Sequence, residues 1–339
     1  MKNKVALIFG ISGQDGSYLA KHLLEENYEV HGTSRQNTKC FDNHRKLFIN
    51  KKCKIYKLKN INNKNIYNLI KKIKPHEIYN LAGESSVANS FKNPLDTFEE
   101  IFNINLFIID NIKKYFTDIK YFNACSSECF GNKKPFLDNN QYIFDPLSPY
   151  AVAKSSTFYS TKFYRDQFKL KFVSGIMYNH ESPLRKKHFL TKKIVQGLID
   201  IKNGKKNYLT VGNIYVERDW GYAPEYVVAM HSLLKKNKFD DFIIATGKNH
   251  SVKHLISKVS QIIGLDIEWK GKGVNEYAFC KSRKKKIIIV SKKLYRPAEV
   301  QSNKGNISKI VREIGWKPKV SFNKMLKILI KDELENTNV

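Results

Sequence analysis

Val5-Ala-Leu-Ile-Phe-Gly10-Ile-Ser-Gly13-Gln-Asp-Gly16 decides the fold. Val5–Phe9 reads as a buried strand: five apolar residues closed by a glycine turn. Gly16–Asn27 reads as a helix, with Tyr18, Leu19, His22 and Leu23 on one face. Glycines between a strand and a helix permit a tight turn and bring backbone close to a pyrophosphate. The helix N-terminus then offers N–H groups and a positive dipole end. Gly10, Ser12, Gly13, Gln14, Asp15 and Gly16 are therefore candidate phosphate-loop residues. The loop carries a signal only because of its place between strand and helix.

Working outward, short apolar strands alternate with helical patterns. Strands are expected at Tyr28–Gly32, Lys54–Leu58, Glu77–Ala82 and Ile119–Ala124, with helices ending near Ile73 and covering Thr97–Tyr115. Strict alternation implies right-handed βαβ units and a parallel sheet covered on both faces. The predicted class is α/β: a Rossmann-type, doubly wound parallel sheet with a smaller, mostly C-terminal substrate-binding lobe. Beyond Tyr178 strand signals become sparse. Helices remain legible at Thr191–Lys202, Glu225–Lys236, Ser251–Ile263, Ser308–Ile314 and Ser321–Leu334, and Phe242–Thr246 reads as a strand returning to the sheet. The expected division is a dinucleotide-binding domain over 1–177 plus that return strand, and a lobe over 178–339. With no Pro/Gly/Ser linker, the two should be interwoven.

Composition narrows the class. Lys and Arg number 60 against 31 Asp and Glu, a formal charge of +29, and 42% of residues are hydrophobic. That apolar fraction excludes wholesale disorder. The charge raises nucleic acid or an anionic membrane as partners. Enrichment in Asn and Ile alongside Lys points instead to compositional bias, so neither partner is expected. The densest run, Lys281–Lys286, reads as a solvated turn before a strand at Ile287–Val290. Cys40, Cys53, Cys125, Cys129 and Cys280 are odd in number and irregular in spacing, which argues against a disulfide framework. No pairing has zinc-ligand spacing, so no metal is expected. The apolar N-terminal run is too short for a signal peptide, and no stretch is long enough to span a bilayer. A cytoplasmic protein is expected.

Two further segments carry chemistry. The second strand leads into Val30-His-Gly-Thr-Ser-Arg35, where an NAD-binding chain places an acid for the ribose 2′-hydroxyl. Arg35 can instead pair a 2′-phosphate, which favours NADP over NAD. Tyr150-Ala-Val-Ala-Lys154 sets a phenol and an ammonium on one helix face. A cation beside the phenol lowers its pKa and fits it to remove a hydroxyl proton. Ser126, after the fifth strand, can hydrogen-bond the reacting oxygen. Glu128 follows it. Alcohol oxidation needs no carboxylate there, whereas water elimination needs a group that takes a carbon-bound proton and protonates a departing hydroxyl.

With its GxxGxxG loop and Ser126–Tyr150–Lys154 set, the chain resembles the extended short-chain dehydrogenase/reductase superfamily. Within it, residues 4 to about 320 resemble the GDP-mannose 4,6-dehydratase family. Gly13–Leu19, Glu77–Ala82, Ser148–Lys154, Asn179–Pro183, Arg218–Gly221, Ile244–Gly247, Gly271–Glu276, Tyr295–Val300 and Gly315–Pro318 carry the likeness. Asn179-His-Glu-Ser-Pro183 together with Arg296-Pro-Ala-Glu-Val300 characterises the GDP-sugar branch.

The resemblance implies that Tyr150 takes the proton of the sugar 4-hydroxyl while hydride leaves C4 for NADP. Lys154 would lower the Tyr150 pKa and hold the nicotinamide ribose, and Ser126 would bond O4. Glu128 would move the C5 proton to the 6-hydroxyl and expel water, after which hydride returns to C6 and the cofactor is regenerated. Asn60, Ile61, Leu81, Ala82, Ser85, His180 and Arg185 would line the cofactor. Asn179, Lys193, Arg218, Arg296 and Glu299, with Ser85 and Glu128, would hold the GDP-sugar. A homodimer or homotetramer is implied, and the loop at 36–46, with Phe41, Asn43 and Arg45, loosely resembles a segment reaching into a neighbouring subunit's cofactor site.

Departures from the family lie at Ser126 (usually Thr), Glu84 (Gln), Ser86 (His), Gln36 (a second Arg), Asn60-Ile61 (Asp-Leu), Leu184 (Arg) and His188 (Glu). They leave the sugar open among GDP-mannose, a GDP-heptose and a GDP-N-acetylhexosamine. The competing readings are a GDP-sugar epimerase or 4-keto reductase, which has no use for Glu128, and an inactive relative that binds nucleic acid.

Overall fold

The computed structural model describes residues 3–36, 41–58, 61–133, 142–235, 239–295 and 298–337. The chain forms two compact units. The first comprises Met1–Tyr178, Ala223–Ile244 and Asn306–Lys317; the second comprises Asn179–Tyr222, Ala245–Gly305 and Pro318–Val339.

The first unit is built on a seven-stranded, all-parallel sheet. Its first six strands are β1 (Val5–Phe9), β2 (Glu29–Ser34), β3 (Lys54–Lys57), β4 (Glu77–Asn80), β5 (Lys120–Ser126) and β6 (Phe172–Met177). Across the sheet they run β6-β5-β4-β1-β2-β3, and Asp241–Ile244 adds to the outer edge of β6. Side chains of β1 alternate between two cores. Ala6 and Ile8 pack with Leu19, Leu23, Val30, Met230 and Leu233. Leu7 and Phe9 pack with Ile66, Ile70, Ile108, Ile112 and Phe172 on the other face. Ala6–Phe9 are buried from both sides, which is why the strand reads as a continuous apolar run.

The chain moves outward from β1 through β2 to β3, then crosses back to β4 and moves the other way. Strand order therefore reverses between β1 and β4, and the loops leaving those two strands part at the switch point. Three segments differ from the sequence expectation. β6 was not foreseen, because Ser174 and Gly175 interrupt its apolar run. β5 continues to Ser126, so that residue ends the strand. The helix expected over Thr97–Tyr115 is Pro94–Phe98, a π-helical turn at Glu99–Asn103 and a helix over Ile104–Tyr115.

The second unit has more strand than its sequence promised. One four-stranded sheet joins Ile267–Lys270, Tyr277–Cys280, Lys285–Val290 and Leu209–Val211; another joins Asn179–Glu181, Glu217–Tyr222, Asn249–Ser251 and Ser302–Asn303. These strands hold two to six residues, too few for most to print a period in the sequence. Helices Leu190–Lys202, Val252–Ile263 and Phe322–Thr337 bury Ile194, Leu198, Leu255, Val259, Met325 and Leu329 in one apolar core. Among the described residues, no helix is long and apolar enough to cross a membrane.

Candidate active site

The glycine loop leaves β1 at the switch point. Gly10 has φ +83°, a conformation that disfavours a side chain, and a Cβ there would lie 2.8 Å from the Leu81 carbonyl oxygen. A Cβ on Gly16 would lie 2.3 Å from the Gly10 oxygen. The loop and the helix Gln14–Glu25 thus meet backbone to backbone. Gly10 and Ile11 both donate N–H to the Thr33 carbonyl at 3.2 Å, and Ser17 Oγ donates to Ile11 O at 3.0 Å. The first helical bond is Ser17 N–H to Gly13 O, 3.0 Å, so the N–H groups of the opening turn lie outside the helical ladder. Gln14 Nε2 donates to Asp15 Oδ1 at 3.0 Å. A pyrophosphate fits such a cradle, and a side chain at Gly10 or Gly16 would force its backbone apart.

Ser12 Oγ lies 3.0 Å from Ser34 Oγ at the end of β2. Asn43 Nδ2 donates to Ser12 O at 3.0 Å, and His44 Nε2 lies 3.2 Å from Ile11 O. Phe41 is buried in the same core as Ile8. The described residues Phe41, Asn43 and His44 therefore brace their own chain's glycine loop. Arg35 forms an ion pair with Glu100. Ile61 packs at the edge of the core around Ile66, and Asn60 lies outside the described residues.

Beyond β4, Leu81 donates N–H to Phe9 O at 3.0 Å, and Leu81 and Ala82 are half-buried. Glu84 accepts from Ser85 N, Ser86 N and Asn89 Nδ2 at 2.7, 2.8 and 2.7 Å. Its carboxylate ties down the start of the helix Val87–Lys92, where the dipole favours an anion. Ser85 is exposed.

The four proposed catalytic residues gather at the end of β5. Ser148 caps the helix Pro149–Phe168 by accepting from Ala151 N at 3.1 Å, and Pro149 takes the first helical position. That start fixes Tyr150 and Lys154 on one face, where they are 9% and 8% exposed. Lys154 Nζ donates to Ala124 O at 2.7 Å and stands 6.0 Å from the Tyr150 ring centroid. Ser126 Oγ accepts from Glu128 N at 3.2 Å. Burial pushes the Tyr150 phenol above its ordinary range; a hydrogen bond with Ser126 opposes this, and the nearby Glu128 charge adds to it. Burial also lowers the Lys154 pKa.

Cys125 and Cys129 flank Ser126–Glu128, with their sulfurs 3.7 Å apart. Cys129 Sγ donates to Ala151 O and Cys125 Sγ to Lys154 O, at 3.6 and 3.7 Å. They are buried thiols that clip the β5 end to the helix Pro149–Phe168.

The second unit gathers other candidates. Arg218 is 5% exposed. Its NH2 donates to Glu299 Oε1 at 2.8 Å, and its NH1 donates to Val300 O and Glu217 O at 2.7 and 2.9 Å. Two residues that the sequence assigned separately to the GDP-sugar are therefore paired with each other, with Arg218 orienting Glu299. Lys193 Nζ donates to Thr210 O at 3.1 Å, and burial lowers its pKa. Asn179 opens a short strand opposite Trp220, and His180 sits opposite Gly221. The Arg185 guanidinium lies 3.6 Å from the Phe189 ring centroid and its Nε 3.3 Å from Glu181 Oε2. Arg296 lies outside the described residues.

Sequence reasoning passed over Asp219 and Glu100. Asp219 is fully buried and accepts from Thr246 N and Gly247 N at 2.8 and 2.7 Å and from Gly305 N at 3.3 Å. It fastens three segments beside Arg218. The Arg218-Asp-Trp-Gly221 motif carried the signal, but its acid was not read as a clasp.

A glycine loop at the switch point of a parallel sheet, with a buried serine, tyrosine and lysine at the end of β5, defines a short-chain dehydrogenase/reductase. Solved structures agree at the level of fold. UDP-glucose 4-epimerase from Thermotoga maritima superposes with a TM-score of 0.81 at 20% identity, covering 99% of this chain and 100% of that one. dTDP-glucose 4,6-dehydratase from Bacillus anthracis does so at 0.79 and 18%, covering 99% and 98%. The sequence is more discriminating. A family model described as GDP-mannose 4,6 dehydratase matches residues 7–329. GDP-mannose 4,6 dehydratase of Cricetulus griseus is 36% identical over 98% of this chain and 92% of its own length. Arabidopsis thaliana GDP-mannose 4,6 dehydratase 1 is 37% identical over 98% and 90%, and the Vibrio cholerae enzyme 35% over 99% and 95%. The chain belongs to the GDP-mannose 4,6-dehydratase family.

Proposed function

We propose that this chain dehydrates GDP-mannose to a GDP-4-keto-6-deoxy sugar, with NADP regenerated at each turnover. The gathering of Glu128 with Ser126, Tyr150 and Lys154 at the end of β5 carries this reading, because elimination needs the carboxylate and simple oxidation does not. A nicotinamide dinucleotide, when bound, supplies the hydride acceptor for C4 and the donor for C6. The glycine loop takes its pyrophosphate through backbone N–H groups and the helix dipole. Arg35, at the end of β2, is the residue that favours a 2′-phosphate there.

The remaining steps belong to side chains. Tyr150 accepts the 4-hydroxyl proton, and Ser126 holds the same oxygen. Lys154, a buried cation, favours the phenolate once charge develops. Oxidation at C4 makes the neighbouring C5 proton acidic; Glu128 takes it and delivers a proton to the departing 6-hydroxyl. Asn179, Lys193, Arg218, Arg296 and Glu299 take the GDP end, with Arg218 positioning Glu299 for the guanine N–H donors. His180 and Arg185 are assigned to the cofactor side.

We read the active form as a homodimer or a homotetramer. Val152, Tyr159 and Phe163, at helical spacing on Pro149–Phe168, are 42%, 50% and 55% exposed, an apolar stripe that a second copy could cover. The thiols that remain free, Cys53, Cys125, Cys129 and Cys280, suit a reducing cytoplasm.

The test is incubation of the purified protein with GDP-mannose, a GDP-heptose and a GDP-N-acetylhexosamine, read by mass spectrometry. The expected result is loss of one water from GDP-mannose with no net change in cofactor. Water loss only from another sugar would move the substrate, and none from any would end the dehydratase reading.

A further inference from the structure

The sequence at the end of β2 lacks the acid that dinucleotide folds use to hold a ribose 2′-hydroxyl. The tertiary structure brings one to that place from elsewhere. Glu100, sixty-five residues further along, meets Arg35 in an ion pair; its side chain is 34% exposed and that of Arg35 is 63% exposed.

The position of Glu100 is fixed by its neighbours. It lies in the π-helical turn Glu99–Asn103. Turns of this kind are frequent at functional sites. The next residue, Ile101, is 1% exposed and clusters with Tyr150 and Ala153. A Cβ on Gly83, in the loop after β4, would lie 2.7 Å from Ile101 Cγ1. The turn is thus wedged between that loop and the catalytic tyrosine, and Glu100 is carried on a rigid support to the end of β2.

We propose that Glu100 is a specificity-determining residue for the cofactor's adenosine ribose. Its carboxylate accepts the 2′-hydroxyl of NAD in place of the missing acid. Its charge opposes a 2′-phosphate and competes for the guanidinium that would bind one. Arg35 and Glu100 then act as a balanced pair, and the site takes both dinucleotides with affinities within about tenfold of each other. This rests on the dinucleotide reading above and narrows its preference for NADP.

The experiment is binding, independent of turnover. The full-length protein, freed of nucleotide, is titrated with NADP and with NAD by calorimetry, alongside E100Q and R35A. E100Q should tighten NADP roughly three- to tenfold and weaken NAD severalfold; R35A should weaken NADP at least about tenfold and leave NAD nearly unchanged. Glu100 is partly exposed and its ion pair is on the surface, so E100Q should keep the fold, which its melting temperature checks. If both dinucleotides bind and E100Q leaves their ratio unchanged, Glu100 has no such role and the dinucleotide reading stands. If neither binds the unaltered protein, the cofactor reading fails and this proposal fails with it.

Discussion

Lys154 Nζ donates to the Ala124 carbonyl oxygen at 2.7 Å, anchoring a buried ammonium to the end of the strand that carries Ser126. That bond sets the distance between the cation and the phenol. It also ties the helix Pro149–Phe168 to β5, so the charge is held in place before any substrate arrives.

Replacing Lys154 with Met keeps the volume and removes the charge. Burial already holds the Tyr150 phenol above its ordinary range, and loss of the cation moves it higher still. Activity that needs phenolate rises with pH, so the rising limb of kcat/KM should shift to higher pH by about one unit or more, with at least about a hundredfold loss at neutral pH. A profile that keeps its limb would remove Lys154 from the phenol's environment.

Glu128→Gln preserves shape and removes the proton carrier. Oxidation at C4 should survive while elimination falls roughly a hundred- to ten-thousandfold. Single-turnover measurement should therefore find reduced cofactor and a 4-keto sugar that still contains its 6-hydroxyl. Full dehydratase activity in this variant would favour the epimerase or reductase alternative.

Gly16→Ala tests the cradle. The added Cβ would meet the Gly10 oxygen at 2.3 Å and the Ile11 Cα at 2.7 Å, both backbone atoms that cannot swing aside. Loop and helix must separate, which costs on the order of 1–3 kcal/mol. Dinucleotide affinity should drop at least about tenfold by calorimetry and the melting temperature should fall. Ala at Gly204, where nothing lies within 4 Å but φ is +75°, controls for backbone strain without crowding.

A buried polar chain makes stability depend on acid pH. His22 Nε2 lies 2.9 Å from His231 Nδ1, His231 Nε2 lies 3.1 Å from Tyr28 Oη, and Tyr28 Oη donates to Glu77 Oε1 at 3.0 Å. One consistent tautomer has each ring donate through Nε2, which leaves His231 Nδ1 as an acceptor. Burial, with Lys235 and His22 adding to it, pushes the His231 pKa down to about 3. The folded state then refuses a proton that the unfolded chain accepts at about 6.5. Its contribution is intact above about pH 6.5 and is lost as pH falls toward 3, at up to about 1.4 kcal/mol per pH unit. Melting temperatures between pH 7 and 4 should fall along that slope, and less steeply in His231→Gln. Equal slopes would place the acid sensitivity elsewhere.

Legibility followed local period and motif. β1 and its loop were plain because five apolar residues, four of them buried, and three glycines stand together. Tyr150 and Lys154 were legible because helical spacing puts them on one face. β6 was not, since Ser174 and Gly175 dilute its pattern, and the strands of the second unit are mostly too short to show a period. Nor was the partner of Arg218 legible, because nothing local ties it to Glu299, eighty-one residues away.

By itself the sequence determined the α/β class, the glycine loop after β1 and the family, and it proposed the Ser126–Glu128–Tyr150–Lys154 set, since each is written in neighbouring residues or in a long run of motifs. Tertiary structure alone decided which of those groups meet. It paired Arg218 with Glu299, turned Asn43 and His44 onto their own glycine loop, anchored Lys154 to Ala124 and set Glu100 against Arg35. These are contacts between residues distant in the chain. They depend on how strands order and helices pack, which no local stretch encodes.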